Sequence, residues 1–210
     1  MSRTKPTPPH STRAIHDSGW RRVVYRGRKL LWKIQYPTHT MSILGRDYSV
    51  PMAVCGLKRF GSIDMNIAEW KNYTHYFQHV PPAFRKYFAP IQTIRRRKGN
   101  VFLGMEAVRN DDGTISQSLE HFGKVRDPVF WNHFHRLVEW LISRGIPFFD
   151  IRSPNFLVQK KSGGLIPVLI DYKTASMNYY LFRPWYLVPA LRADFMRKRL
   201  LSLEKQYWEI

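Results

Sequence analysis

The segment between residues 127 and 171 constrains the fold more than any other part of the chain, because a helix signal and a hairpin signal follow one another within it. Asp127 followed by Pro128 is a typical helix start, and Gly145 is a typical helix stop. Two short apolar runs, at residues 156–158 and 168–170, then flank a turn rich in lysine and glycine, which predicts a β-hairpin. The helix face expected to be buried consists of Val129, Phe130, Phe134, Leu137, Val138, Leu141 and Ile142.

The first half of the chain is expected to form mainly strands. Short runs of β-branched, aromatic or aliphatic residues recur there, and glycine-containing or basic segments separate them. The predicted strands lie at residues 20–36, where two of them form a hairpin, and at 52–60, 91–94 and 101–108. Residues 95–100 are predicted to form a basic turn between the last two strands.

Two further helices and a tail complete the prediction. Asp64 can cap a helix that runs to about His79, and residues 190–208 predict a last helix. The apolar face expected for the helix after Asp64 consists of Ile67, Trp70, Tyr73, Thr74 and Phe77. Residues 1–18 are polar, basic and proline-containing, which is typical of a flexible tail. Strands and helices in this order predict an α+β fold.

The chain is strongly basic, since 34 Lys and Arg against 15 Asp and Glu give a net charge of +19. A field of this sign attracts polyanions, such as nucleic acid, nucleotides, acidic lipid headgroups or phosphorylated saccharides. The apolar share of 44% is enough for a buried core. Cys55 is the only cysteine, which excludes an internal disulfide and a multi-cysteine metal site and fits a reducing compartment.

The sequence has neither a secretory signal pattern at its start nor a run of about 18 apolar residues, so we expect no membrane-spanning helix. A cytoplasmic location is the prediction. Peripheral contact with the inner face of the membrane stays open, because Arg197, Lys198 and Arg199 stand beside aromatic residues near the C-terminal end. Packing of this helix into the core is the favoured alternative.

Three oxygen-bearing side chains gather around the predicted hairpin. Asp150 and Asn155 lie five residues apart in the loop that leaves the helix, and Asp171 follows the second strand, 21 residues after Asp150. A hairpin brings the loop before its first strand close to the end of its second, so Asn155 and Asp171 could share one Mg²⁺ ion. Phosphoryl transfer needs such a set, with the other carboxylate orienting or deprotonating the attacking hydroxyl and Arg152 offsetting charge on the transferred group. A proline-bearing turn without chemistry is the alternative for this loop.

At this point the chain resembles the protein-kinase-like superfamily. Asp150, Arg152 and Asn155 match the catalytic-loop pattern D-x-[KR]-x-x-N, and Asp171 takes the place of the metal-binding aspartate. Residues 53–176 further resemble the YrbL-type proteins of the PhoP regulatory network. The shared motifs are E-A-V-x4-G-x2-S-x2-L-x2-F from Glu106, R-S-P-N-x-L from Arg152 and I-P-V-x2-D from Ile166. Lipopolysaccharide-core sugar kinases are similar through D-x4-N-x-L-V from Asp150 and L-I-D from Leu169.

The resemblance implies a minimal bilobal fold that uses ATP and Mg²⁺. After the tail over residues 1–18, residues 19–108 would form a small, β-rich, nucleotide-binding lobe, and residues 109–210 a reduced helical lobe with the catalytic and metal loops. Asp150 matches the family's catalytic base, and Asn155 and Asp171 match its metal ligands.

Four residues of the first lobe receive roles from the same resemblance. Lys58, near the end of an apolar strand, matches the lysine that holds the α- and β-phosphates, and Glu69 matches its ion-pair partner. Backbone groups around Glu106 and Val108 match the segment that contacts adenine.

Departures from the kinase pattern leave three functions open. There is no G-x-G-x-x-G loop, and Gly27 and Gly45 are the only glycines available to cover phosphates. Tyr172 and Lys173 replace the usual Phe-Gly after Asp171. The chain is therefore predicted to be a phosphotransferase acting on an anionic acceptor such as a lipopolysaccharide-core sugar, or on a protein. The alternatives are a kinase-fold regulatory protein with weak or no catalysis, and a basic nucleic-acid-binding domain, which ranks third.

Overall fold

The computed structural model describes residues 14–18, 21–26, 30–35, 38–43, 46–51, 64–97, 99–148, 150–173 and 188–208. Several predicted features lie outside these ranges. They are residues 1–13 of the predicted tail, the predicted strand over residues 52–60 with Lys58, and the two glycines Gly27 and Gly45.

The described strands pair in antiparallel fashion. In chain order they are β1 (Ala14–Ser18), β2 (Arg21–Arg26), β3 (Leu30–Gln35), β4 (Thr38–Ile43), β5 (Arg46–Pro51), β6 (Ile91–Arg97), β7 (Asn100–Glu106), β8 (Gln117–Ser118), β9 (Phe156–Lys161) and β10 (Gly164–Leu169). Within the described ranges one sheet has the order β1–β2–β3–β7–β6 and another the order β10–β9–β8, while β4 and β5 pair with each other. The hairpin predicted over residues 156–170 and the pairing of β2 with β3 are confirmed.

The described helices complete an α+β fold, as predicted. They are α1 (Met65–Asn72), which a π-helical turn extends to Phe77, α2 (Pro82–Arg85), α3 (Leu119–Phe122), α4 (Pro128–Ser143) and α5 (Pro189–Trp208). Asp64 caps α1 and Asp127 caps α4, as their positions before each helix predict. Among the described residues no helix combines the length and the apolar character needed to cross a bilayer.

Two strand predictions are wrong. Residues 14–18 were expected in the flexible tail, but they form β1, because their backbone pairs with β2. The turn predicted over residues 95–100 is much shorter than expected, because Arg95, Arg96 and Arg97 continue β6 and pair with β7. The guanidinium of Arg95 also lies over the Trp32 ring, 5.4 Å from its centroid, so the arginine stems cover the sheet while their charges stay at its surface.

Helix α4 lies at the centre of the core of the described residues. Phe130, Phe134, Leu137, Val138 and Leu141 are fully buried, as the apolar spacing predicts. The predicted face is wrong at one end, since Val129 is 41% exposed whereas Trp131 is buried. Trp131 is held inside because its indole N–H donates to the Val125 carbonyl oxygen at 2.8 Å.

The end of β10 is fastened to the segment between α2 and β6. The Leu169 N–H donates to the Tyr87 carbonyl oxygen at 2.8 Å, and the Ala89 N–H donates to the Leu169 carbonyl oxygen at 3.0 Å. Both groups of Leu169 are therefore satisfied by a segment distant in sequence. This fixes the position at which the chain leaves the hairpin, two residues before Asp171.

Candidate active site

Strand β3 carries a buried lysine at the centre of the candidate site. The side chains of β3 alternate, and Leu31 and Lys33 lie on its buried face. Only 3% of Lys33 is exposed. Its Nζ lies 2.6 Å from Oε1 of Glu69 and donates to the Ile170 carbonyl oxygen at 2.5 Å. Since a buried ammonium needs an anionic partner, this ion pair joins β3 to α1 and to the end of the hairpin.

Helix α1 and its π-helical extension bury polar side chains as well as part of the predicted apolar face, of which Phe77 is buried. Asn66 and Glu69 are fully buried, while Ile67 is partly exposed. The Asn66 side-chain amide donates to the carbonyl oxygens of Lys33 at 3.0 Å and Val101 at 2.9 Å. These bonds and the ion pair dock α1 on the sheet together with the buried apolar side chains of the helix, so polar contacts help to orient it.

Glu69 pairs with a lysine that the sequence patterns did not single out. Lys58, the predicted partner, lies outside the described residues, and the structure brings Lys33 to Glu69. Sequence reasoning missed Lys33, although a signal was present. Lys33 is in phase with Leu31 on an otherwise apolar strand, and this alternation places its side chain on the buried face.

The loop after α4 holds Asp150 and Asn155 close together. Both are buried, and Nδ2 of Asn155 donates to the Asp150 carbonyl oxygen at 2.9 Å. A 3-10 turn over Ser153–Asn155 brings the chain back toward β9. Arg152 forms an ion pair with the Asp150 carboxylate, in which its Nη2 donates to Oδ2 at 2.6 Å. Most of the Arg152 side chain is exposed. The guanidinium of Arg152 is therefore both bound to Asp150 and open to solvent.

The side-chain oxygen of Asn155 tests whether a metal ion fits this site. Because Nδ2 donates to Asp150, the amide orientation is determined and Oδ1 faces the other way. No donor to this Oδ1 is present among the described residues, although Asn155 is only 6% exposed. A buried amide oxygen without a donor is a suitable ligand for a hard cation such as Mg²⁺. The Oδ1 atom of Asn155 is therefore chemically suited to bind a magnesium ion.

Asp171 lies beside Asn155, as the hairpin predicts. The Ile170 N–H donates to the Asn155 carbonyl oxygen at 3.0 Å, which places the two candidate ligands on adjoining backbone. Asp171 is 7% exposed. Its Oδ1 accepts from the Lys173 N–H at 3.2 Å, and its Oδ2 contacts the Lys173 ammonium. In the described part of the chain no three His, Cys, Asp or Glu side chains cluster as a metal site. A metal ion at Asp171 would therefore also need oxygen atoms of a bound molecule as ligands.

Tyr172 anchors the segment that carries Asp171. The Tyr172 N–H donates to Oε1 of Glu69 at 3.2 Å, and its hydroxyl donates to the Ala89 carbonyl oxygen at 2.8 Å. Burial raises the pKa of the Tyr172 hydroxyl well above its usual range, and the nearby Tyr73 and Glu69 act in the same direction. The phenol therefore stays protonated and remains a donor. Its contacts fix Asp171 relative to the Lys33–Glu69 pair.

A cleft of about 530 Å³ opens between the large sheet and the hairpin. Its lining residues are Leu31, Lys33, Met105, Glu106, Val108, Ile115, Ser116, Gln117, Ser118, His121, Pro154, Leu157 and Ile170. Lys33 and Ile170 bring the ion pair to the cleft wall, and the aliphatic side chains supply apolar surface. A mostly apolar cleft with a few polar groups is the usual form of a small-molecule site.

Glu106 and Val108, around which a base-contacting segment was predicted, both line this cleft. The Glu106 N–H donates to the Pro90 carbonyl oxygen at 2.8 Å, and the Val108 carbonyl oxygen accepts from Ser116 N–H at 3.0 Å. The Val108 N–H, in contrast, has no acceptor among the residues that the structure describes. A backbone donor without a partner in a cleft wall can bind an acceptor atom of a ligand.

No protein-family model matches the chain, and no curated protein matches it. Among solved structures, it is similar to the apo form of PpkA-294, with 16% sequence identity and a TM-score of 0.46 over 81% of this chain and 60% of that chain. Monomeric WbdD is similar with 17% identity and a TM-score of 0.46, over 89% of this chain and 45% of that one. The bifunctional kinase-methyltransferase WbdD has 15% identity and a TM-score of 0.46, over 85% of this chain and 42% of that one. The chain spans about half the length of these proteins.

Proposed function

We propose that this chain is an ATP- and Mg²⁺-dependent phosphotransferase that moves the γ-phosphate of ATP to a hydroxyl acceptor. One observation carries the proposal. A buried lysine, Lys33, pairs with Glu69 in the wall of a cleft and reaches the residue before Asp171. This arrangement supports a nucleotide site because it places a cation, a carboxylate and an apolar wall around one space.

Each residue of the site would have a separate role in binding the nucleotide and the metal ion. Lys33 would bind the α- and β-phosphates, with Glu69 holding its ammonium in place. The Val108 N–H would donate a hydrogen bond to an acceptor atom of the base, since it has no acceptor among the described residues. Asn155 through Oδ1 and Asp171 through its carboxylate would hold Mg²⁺, which when bound neutralises phosphate charge. The division of the chain into lobes at residues 108 and 109 belongs to this proposal.

In the transfer step, Asp150 orients the acceptor hydroxyl and takes its proton. The hydroxyl oxygen forms a bond to the γ-phosphorus, the bond between that phosphorus and the β-phosphate oxygen breaks, and ADP leaves. Arg152 lies within hydrogen-bond distance of Asp150 and is exposed, so it can reach the transferred group and offset its charge.

A thermal-shift titration tests the nucleotide site. ATP with Mg²⁺ should raise the melting temperature of the wild type, since a ligand at about 100 times its Kd stabilises the folded state by about 2.7 kcal/mol. Asp171→Asn and Lys33→Met should lose most of the shift. Lys161→Met is the matched control, because it removes the same charge from an exposed pair with Asp111. No shift in the wild type with ATP, with or without Mg²⁺, would contradict the proposal.

The acceptor belongs to the same proposal. The net charge of +19 favours an anionic hydroxyl compound, such as a lipopolysaccharide-core sugar presented at the inner face of the membrane, reached from a cytoplasmic location. Transfer of labelled phosphate from ATP to such sugars, compared with uncharged sugars of the same size, measures this preference. Equal transfer to both would contradict it.

A kinase-fold regulatory protein without turnover is the second candidate. The contacts of both carboxylates favour it, because Arg152 grips Asp150 and Lys173 contacts Asp171. A protein of this kind would bind nucleotide and act through a partner. Asp150→Asn separates the candidates: loss of labelled-phosphate transfer with unchanged nucleotide binding supports the enzyme, whereas binding without any transfer in the wild type supports the regulator.

A further inference from the structure

Lys173 occupies both oxygens of the carboxylate that is the candidate metal ligand. Its backbone N–H donates to Oδ1 of Asp171 at 3.2 Å, and its ammonium contacts Oδ2. Little of either side chain is exposed, 14% for Lys173 and 9% for Asp171. The pair is therefore shielded from water, so the ammonium interacts with the carboxylate more strongly than it would at an open surface.

The backbone of Lys173 is held independently of its side chain. Nδ2 of Asn72, on α1, donates to the carbonyl oxygens of Tyr172 and Lys173, each at 2.9 Å. Tyr172 is fully buried and bonded to Glu69 and Ala89. The flexible stem of Lys173 can therefore release Asp171 while the backbone that carries both residues stays in place.

Lys173 and a divalent cation compete for the same carboxylate. A metal ion bound by Asp171 would share this carboxylate with the Lys173 ammonium, and the two positive charges would repel each other in the shielded site. Without the Lys173 ammonium, the Asp171 carboxylate would repel the phosphates of a nucleotide more strongly, because like charges in a shielded site cost free energy. The ammonium therefore supplies positive charge at the same carboxylate that a metal ion would use.

We propose that Lys173 is a tethered cation that neutralises Asp171 in the metal-free protein, is displaced by the metal that accompanies the nucleotide, and so weakens the dependence of nucleotide binding on metal. This proposal rests on the proposed nucleotide site. It assigns Lys173 as a positioning residue, since it acts through Asp171 and not on the reacting atoms. It also gives a reason for lysine at the position where the kinase pattern has glycine.

The experiment measures how much metal tightens nucleotide binding. The dissociation constant of a non-hydrolysable ATP analogue is determined by calorimetry with excess Mg²⁺ and again with a chelator, and the ratio of the two constants is compared between variants. Lys173→Met, which keeps the stem, should raise this ratio about tenfold, equivalent to ~1.4 kcal/mol of coupling. Lys173→Arg keeps the charge and should not raise the ratio. Lys161→Met, which lowers the net charge equally at a distant pair, should leave it unchanged.

The outcomes separate this inference from the proposed function. If Asp171→Asn lowers the ratio and Lys173→Met leaves it unchanged or lowers it, Lys173 is not a competing cation, and the nucleotide site stands. If Lys173→Arg raises the ratio as much as Lys173→Met does, the effect is steric and the inference fails as well. If the wild type binds the analogue under neither condition, the proposed function itself is wrong. Melting temperatures of the ligand-free variants verify that each is folded.

Discussion

Replacing Lys33 by methionine tests whether the buried ion pair organises the site. Methionine keeps the length and apolar stem of lysine, so the change removes mainly the charge. Glu69, which is 0% exposed, then loses the ammonium 2.6 Å from its Oε1 and keeps the Tyr172 N–H at 3.2 Å. Removing one partner of a buried pair typically costs 3–5 kcal/mol, because the other charge stays buried without compensation. Since the Tyr172 N–H still donates to Glu69, we expect the free energy of unfolding to fall by about 3 kcal/mol, at the low end of this range.

The double variant Lys33→Met/Glu69→Leu separates charge from packing. It removes both charges and leaves the Tyr172 N–H and the Ile170 carbonyl group without these partners, each at a cost of about 1 kcal/mol. The double variant should therefore unfold at a higher urea concentration than Lys33→Met alone. Glu69→Leu alone should also be strongly destabilised. The sum of the losses in free energy of unfolding of the two single variants should therefore exceed the loss in the double variant by at least about 2 kcal/mol.

Urea unfolding at pH 7, followed by tryptophan fluorescence, measures these changes, and the chain contains seven tryptophans. Lys161→Met is the control for loss of a lysine charge at an exposed pair, where no measurable change is expected. If Lys33→Met costs less than about 1 kcal/mol, or if the two single losses simply add, the pair is not the buried, coupled unit described here.

Two further predictions concern other contacts. The Arg197 guanidinium donates to Glu139 at 2.6 and 2.7 Å and lowers the pKa of Glu139 below its usual 4.5. This pair therefore stabilises the fold above about pH 4.5, and the stabilisation is lost as the pH falls further. Arg197→Gln should reduce the pH dependence of the free energy of unfolding below that pH, whereas the charge-matched Lys198→Gln should not. The Asp127 carboxylate accepts from the Val129 N–H at 2.8 Å and from the Leu165 N–H at 3.1 Å. Asp127→Ala should therefore lower the free energy of unfolding by about 2 kcal/mol, and Asp127→Asn by less. Equal urea midpoints for the wild type and both variants would contradict a stabilising role for this carboxylate.

Local signals predicted the helices and the hairpin. Asp127 before Pro128 starts α4 and Asp64 caps α1, because a cap depends on hydrogen bonds within a few residues. The pairing of β9 with β10 follows from two apolar runs around a short turn, and it carries Asn155 to the neighbourhood of Asp171. These features depend on residues near one another in sequence, so a pattern in the sequence was enough.

Where contacts between distant segments decide the structure, the sequence patterns were not enough. The apolar residues of α1 and its extension predicted only part of the buried face, because Asn66 and Glu69 are also drawn inside by partners on β3 and β7. The strand β1 could not be distinguished from a tail, since its pairing with β2 is a property of two segments and not of one composition. Amphipathic spacing predicts burial only where apolar contacts decide how an element docks.

The sequence by itself determined which residues could carry chemistry on the hairpin, because Asp150, Asn155 and Asp171 stand at positions set by local turn geometry. Only the tertiary structure decided which lysine meets Glu69. Lys33 and Glu69 are 36 residues apart, and the Lys33 ammonium contacts a carbonyl group 137 residues away. The free energy of burying a charge depends on the partner that folding brings to it, and no spacing along the chain specifies that partner.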